Sequence, residues 1–188
     1  MTDIAIIGPQ GSGKTTLAMN LVEHRNYVRI GIADAVKEIA AKRYPGLQKG
    51  SLFDVQRDGK LWIATGRELL QWIGAAMREV DQDFWLGMWR EKYEGAKMMG
   101  RSVVVDDLRL TREVDYLRNL DRGFKIVQVT ADIGKRDWRV AGGVSGTKDV
   151  TEQEWDKVRF DLSLDTTNID ATQTFHRLHE WMTGGDEA

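Results

Sequence analysis

The sequence predicts an α/β protein built on a mainly parallel central sheet. Three observations carry that expectation. Asp3–Gly8 (DIAIIG), Arg101–Asp106 (RSVVVD) and Phe124–Thr130 (FKIVQVT) are short apolar runs with little polar alternation, as strands covered on both faces require. Helical stretches separate these runs, the order that gives a layered α/β sandwich. A Gly-rich turn follows the first run and opens directly into a helix.

In chain order, that first helix is expected from about Gly13 to Arg25, with a short strand near Tyr27–Ile30 behind it. A helix from about Asp34 to Tyr44 stops at Pro45-Gly46, because proline and glycine both interrupt helical pairing. Residues 46–66 read as a loop. Arg67–Val80 and Gln82–Met98 are the next two helices, and another begins near Thr111 after the second apolar run. Residues 134–150 are rich in Gly, Lys and Arg with little periodicity, so a mobile surface segment is expected there. Thr151 and Glu154 carry a capping-box spacing for a short helix. A weak strand, Asp161–Leu164, and a last helix, Asp170–Met182, complete the pattern.

Composition narrows the function classes. A chain of 188 residues suits one core with a small insertion, so residues 1–188 are expected to form one domain. Its 29 acidic and 27 basic residues leave a net charge of −2 with no block of like charge, which argues against a nucleic-acid-binding face. No apolar run approaches the ~18 residues that span a bilayer. The start, MTDIAIIGP, lacks a basic leader, and a soluble, cytoplasmic protein is expected. With no cysteine, disulfides, thiolate zinc sites and a Cys nucleophile are excluded. Trp72 and Trp89 sit at helical spacing and are expected in the core. His176 and His179 share a helix face, yet lack a third ligand and read as surface histidines.

The strongest chemical signal is GPQGSGKT, Gly8 to Thr15, which fits G-x-x-x-x-G-K-[ST], the phosphate-binding loop. Gly8, Gly11 and Gly13 permit torsions that side chains forbid, so successive N–H groups can converge on phosphate oxygens. The following helix adds its positive end. Lys14 can bring charge to the β- and γ-phosphates, and the Thr15 hydroxyl can ligate Mg²⁺. The expected ATP contacts are therefore Gly8, Gly11, Ser12, Gly13, Lys14, Thr15 and Thr16.

Two further groups of residues suggest what accepts the phosphate. VVVDDLR delivers Asp106 and Asp107 to the C-terminal end of a buried strand, where open α/β sheets place ligands. One of them, Asp107 by preference, can hold the water shell of Mg²⁺, with Arg109 two residues beyond. On the helix after residue 66, Arg67, Gln71, Gly74 and Arg78 fall in one stripe, while Leu69, Trp72, Ile73, Ala76 and Val80 point to the opposite side. An Arg and a Gln one turn apart suit an anionic ligand that carries a hydrogen-bonding base.

GIADAVKEIA (31–40), GRELLQWIG (66–74), DQDFW (81–85) and DLRLTREVDYLR (107–118), in this order behind the phosphate loop, resemble the phage-type deoxynucleoside monophosphate kinases. The resemblance implies a P-loop three-layer sandwich with a helical acceptor-binding insertion at about 31–98 and a mobile lid at about 134–150. It implies Asp107 rather than Asp106 as the family's aspartate. It implies that Asp34, Lys37, Arg67, Gln71 and Arg109 line the acceptor pocket, and Trp85 is a candidate for stacking on the base. The stretch 134–160 departs from the family's pattern.

An acceptor phosphate supports the same chemistry independently. Its second pKa is about 6, so the attacking oxygen is largely a dianion at neutral pH and needs alignment and charge neutralisation rather than a general base. Lys14, Arg67 and Arg109 supply cations, and Arg136 and Arg139 could close over the transferring group as a lid does. The expectation is an ATP- and Mg²⁺-dependent deoxynucleoside monophosphate kinase that transfers the γ-phosphoryl group to a dNMP, giving dNDP and ADP, with no nucleic-acid or membrane partner and a homodimer allowed. A nucleoside or other small-molecule kinase is the alternative of the same class; it would need a carboxylate base, which Asp34 or Asp106 could supply. From a different class, a non-catalytic ATP-binding module or a GTPase switch remains, although the chain has no D-x-x-G and no N-K-x-D for reading guanine.

Overall fold

The computed structural model describes residues 2–120, 123–139 and 158–184. In chain order the elements are β1 (Ile4–Ile7), α1 (Lys14–Arg25), β2 (Tyr27–Arg29), α2 (Ile32–Arg43), β3 (Leu52–Arg57), β4 (Lys60–Thr65) and α3 (Gly66–Val80). They continue as α4 (Phe84–Met98), β5 (Ser102–Val105), α5 (Thr111–Leu120), β6 (Lys125–Thr130), α6 (Ile133–Arg139), β7 (Leu162–Asp165) and α7 (Ala171–Thr183). The chain divides into two compact units, Met1–Ile30 with Gly95–Ala188, and Gly31–Glu94. Residues 134–139 of the predicted surface segment 134–150 belong to helix α6, while its remainder and the capping-box pair Thr151 and Glu154 lie outside the described residues.

The first unit holds a five-stranded parallel sheet in the order β2-β5-β1-β6-β7. All four residues of β1 and of β5 are buried, which explains their unbroken apolar character. Ile4 and Ile6 point into a cluster with Leu17, Ala18 and Leu21 of α1 and Leu178 of α7. Ile7, on the opposite pleat, lines a small cavity together with Val114 of α5. Helices thus cover both faces of this sheet. At the lower edge, the buried Asp3 carboxylate accepts from Val103 N–H at 2.8 Å and from Lys97 Nζ at 2.9 Å, tying β1, β5 and the end of α4 together.

The second unit corrects one expectation. Residues 46–66 are not a loop throughout: β3 and β4 form an antiparallel hairpin in which Arg57 faces Lys60. Asp58 and Gly59 make the two-residue turn with φ of 51° and 72°, the positive pair that matches the right-handed twist of the flanking strands. The Asp-Gly pair between β-branched and aromatic residues was the available signal. Leu52, Leu61 and Ile63 are exposed on one face of the hairpin. On the other, Phe53 meets the Tyr44 ring edge-on and Arg57 lies over the Trp72 ring.

Helix α3 starts on a capping box. Thr65 Oγ1 accepts from Glu68 N–H, and the Glu68 carboxylate accepts from Thr65 N–H at 2.7 Å. The bond from the Thr65 backbone, reinforced by its hydroxyl, holds the Glu68 pKa below the ordinary carboxylate value. A lowered folded-state pKa gives stability that is complete above the unfolded value and is lost as pH falls through the folded one. Glu68→Gln should therefore unfold at lower urea than the wild type at pH 7, with the gap closing in acid below both values. An equal gap at both pH values would mean that ionisation of Glu68 is not what stabilises the cap.

Packing in this unit also revises α3 and α4. Trp89 is buried as expected. Trp85 is buried as well, only 2% exposed, and its indole N–H donates to Gly74 O at 2.9 Å. Its ring is enclosed and does not serve the base-stacking role expected of it. Val80 and Ala76, expected in the core, are exposed.

Candidate phosphate-binding site

The strand order places the site. The connection from β1 runs through α1 toward β2, while the one from β5 runs through α5 toward β6 on the other side of β1. The two connections diverge, leaving a crevice at the C-terminal ends of β1 and β5, where such sheets bind ligands. Ala5 is in register with Val105, so Gly8 and Asp107 each emerge just past the paired ends of adjacent strands. Residues 100 positions apart are brought together by one step of the sheet.

The loop has the backbone of an anion cradle. Gly8, Gly11 and Gly13 have φ of 138°, 79° and 100°, a region that side chains avoid. At Gly8 space is decisive as well: a Cβ would lie 2.0 Å from the Val129 carbonyl oxygen of β6. Gly13 is the N-cap of α1, with no side-chain cap and no acidic residue in the first turn, so the positive end of that helix is turned to the loop. Lys14 Nζ donates to the Gly8 and Pro9 carbonyls at 2.8 and 2.7 Å, which holds the ammonium over the loop. Thr15 and Thr16 are exposed at the start of α1, and Ser12 is fully buried.

The two aspartates after β5 have separate surroundings. Asp106 is buried and its carboxylate lies 2.7 Å from Arg29 Nε at the end of β2. Asp107 is half-buried and Arg109 exposed. Glu113, buried at the start of α5, accepts from the Arg109 and Leu110 N–H groups at 2.8 and 3.1 Å and fixes the turn that presents Arg109. Neither Arg29 nor Glu113 was singled out from sequence. Glu113 carries the signal of an acid three residues into a helix; the Arg29 pairing has none, because its partner is 77 positions away. A hydroxyl from Thr15 and a carboxylate from Asp107 form the kind of donor set that Mg²⁺ accepts, since it keeps several waters and takes further oxygens from phosphates.

The second unit presents Arg67 and Gln71 exposed on α3, with Arg78 half-buried on the same stripe. Asp34 caps α2 by accepting the Gly31 N–H at 2.8 Å, and its other oxygen takes Lys37 Nζ at 2.8 Å. Arg136 and Arg139 lie on α6, and Arg139 donates to Thr166 Oγ1 at 2.9 Å and to the Thr166 carbonyl at 2.8 Å. His176 is exposed and His179 packs against Phe175; no cluster of three or more His, Asp or Glu suited to a metal occurs among the described residues. No helix among them is long and apolar enough to cross a membrane.

The fold and loop define a P-loop protein, and residues 4–163 match the family described as an AAA domain. The chain belongs to this P-loop kinase family. A protein of Acanthamoeba polyphaga mimivirus, provisionally named deoxynucleotide monophosphate kinase, is 26% identical over 136 residues, covering 64% of this chain and 70% of that one. Among solved structures, a sugar kinase from Janibacter sp. superposes with a TM-score of 0.58 at 17% identity, over 97% of this chain and 95% of that one. Shikimate kinase from Acinetobacter baumannii gives 0.57 at 13% identity, over 100% and 96%. A Chloroflexus aurantiacus protein described as a kinase gives 0.55 at 16%, over 98% and 97%. At these identities the structures speak for a shared fold.

Proposed function

We propose that the protein transfers the γ-phosphoryl group of MgATP to a deoxynucleoside monophosphate, yielding ADP and the deoxynucleoside diphosphate. The observation that carries the choice of a phosphate acceptor is the state of the two carboxylates that the sequence offers as a general base. Asp106 faces Arg29 at 2.7 Å and Asp34 faces Lys37 at 2.8 Å, so each carboxylate is already ion-paired with a cation of this chain. A hydroxyl acceptor needs such a base, whereas a phosphate dianion does not. The four resembling segments and the similarity to the mimivirus protein support the same reading.

In this reading the acceptor oxygen attacks the γ-phosphorus while the bond to the bridging β–γ oxygen breaks, and the electron pair leaves with ADP. Gly8, Gly11, Ser12, Gly13, Thr15 and Thr16 bind the donor phosphates, and Lys14 neutralises charge that shifts toward the leaving oxygen. Thr15 and Asp107, the latter through water, would hold Mg²⁺, which would supply positive charge to neutralise the phosphates. Arg67 and Arg109 grip the acceptor phosphate, Gln71 contacts the base, and Asp34 with Lys37 shapes the α2 end of the acceptor pocket. Arg136 faces the transferring group. The protein would act on free nucleotides in the cytoplasm, that of the host if it is phage-encoded.

ADP release with MgATP, screened against all dNMPs, NMPs, nucleosides, sugars and shikimate, tests the reading. Turnover with monophosphates is expected; turnover with a hydroxyl acceptor alone would overturn it in favour of the small-molecule kinase suggested by the fold neighbours. Within the main reading, Arg67→Ala and Arg109→Ala should each raise KM for every dNMP by about tenfold or more, the loss of a charge-assisted contact. ATP affinity should stay nearly unchanged. Gln71→Ala should reorder the substrates rather than weaken all alike. A large loss of ATP affinity with unchanged dNMP affinity would instead assign the α3 face to the donor.

A further inference from the structure

A loop whose N–H groups converge on an anion turns carbonyls away from it, and buried carbonyls need donors of their own. Ser12, fully buried in the phosphate loop, has its carbonyl 2.8 Å from Thr166 Oγ1. Thr166 follows β7 and is only 4% exposed. Its hydroxyl proton is shared between Ser12 O and Thr130 O, the latter at 3.1 Å, while its lone pairs accept from Arg139 Nη1 at 2.9 Å. Arg139 Nη2 donates to the Thr166 carbonyl at 2.8 Å, and Nη1 reaches Gly11 O at 3.5 Å. The Thr166 N–H donates to Thr130 O at 2.9 Å. The ends of β6 and β7, helix α6 and the phosphate loop meet at one hydroxyl.

The peptide unit is planar and trans, so its C=O and N–H point in opposite directions. Fixing the Ser12 carbonyl on Thr166 aims the Gly13 N–H, at the head of α1, to the other side. We propose that Thr166, supported by Arg139, is a positioning residue that orients the Ser12–Gly13 peptide for phosphate binding. The proposal rests on Gly8–Thr15 as the donor site and deepens it. It also divides the two arginines of α6. Arg139 acts on the loop from behind, and Arg136 remains the arginine of α6 proposed for the transferring group.

Inorganic tripolyphosphate is the probe, since it engages the loop without a base or sugar, and its affinity for the intact chain is measured by calorimetry beside that of ATP. Thr166→Val removes the hydroxyl at nearly constant volume and should weaken both ligands about tenfold, the effect of leaving one buried acceptor unpaired. Thr166→Ser restores the hydroxyl and should recover affinity to within about twofold, a rescue that loss of packing alone would not give. Wild-type affinity in folded Thr166→Val overturns the proposal, as does failure of Thr166→Ser to recover it. If Thr166→Val does not fold, Arg139→Ala decides, because its side chain is exposed: weaker tripolyphosphate binding supports the proposal and unchanged binding overturns it. A wild-type chain that binds neither ATP nor tripolyphosphate overturns the donor-site reading instead.

Discussion

Lys14→Ala is expected to fold like the wild type and to lose about 10³-fold or more in the rate of phosphoryl transfer. The half-buried side chain lies over the loop, its ammonium held by the carbonyls of Gly8 and Pro9 at 2.8 and 2.7 Å. Those two carbonyls can turn to water when the ammonium is gone, so stability should change little. The rate has no such substitute, because charge migrates onto the β–γ bridging oxygen as the bond breaks and a positioned cation stabilises it more in the transition state than in the bound substrate. Single-turnover rates and thermal melts on the same preparation separate the two effects. Near-wild-type turnover in folded Lys14→Ala would remove Lys14 from the reaction centre. Lys14→Arg should recover little, since a planar guanidinium does not reproduce a compact ammonium resting on two neighbouring carbonyls.

Arg29→Ala should have the largest effect on stability. The Asp106 side chain is 1% exposed and that of Arg29 23%, at a separation of 2.7 Å. Taking away the guanidinium leaves a buried carboxylate without its cation, which costs about 3 kcal/mol, the lower end of the range because Arg29 still touches water. Replacing both residues by apolar ones of similar size should restore much of the stability, since the pair and its desolvation disappear together. Urea unfolding of the three proteins checks this. Arg29→Ala as stable as the wild type at pH 7 would show that the ion pair does not anchor β2 to the end of β5.

The parts of this protein that were legible in sequence are those in which the chain answers to its immediate neighbours. Ile4–Ile7 and Ser102–Val105 read as buried strands because both of their faces are covered. The phosphate loop was readable because glycines at 8, 11 and 13 and the lysine at 14 act through backbone torsions and reach within eight residues. The hairpin was missed although Asp58-Gly59 announced it, because its exposed Leu52, Leu61 and Ile63 blur the alternation that marks a half-buried strand. Trp85 was misjudged because enclosure belongs to the partner surface: what fixes its indole is the carbonyl of Gly74 on another helix.

By itself, then, the sequence determined a parallel α/β fold and a loop that binds phosphate, both consequences of periodicity and of torsions that only glycine reaches freely. Only the tertiary structure decided the surroundings of each charge. Asp106 and Asp107 are adjacent in sequence and equal in chemistry, yet one is buried on Arg29 and the other stands half-exposed at the strand end. Arg136 and Arg139 are likewise three residues apart, and only Arg139 is shown bonded to the turn behind the loop. The reason is that a buried charge or carbonyl must find its partner in space, and parallel strand order brings together residues such as Ser12 and Thr166 that lie 154 positions apart.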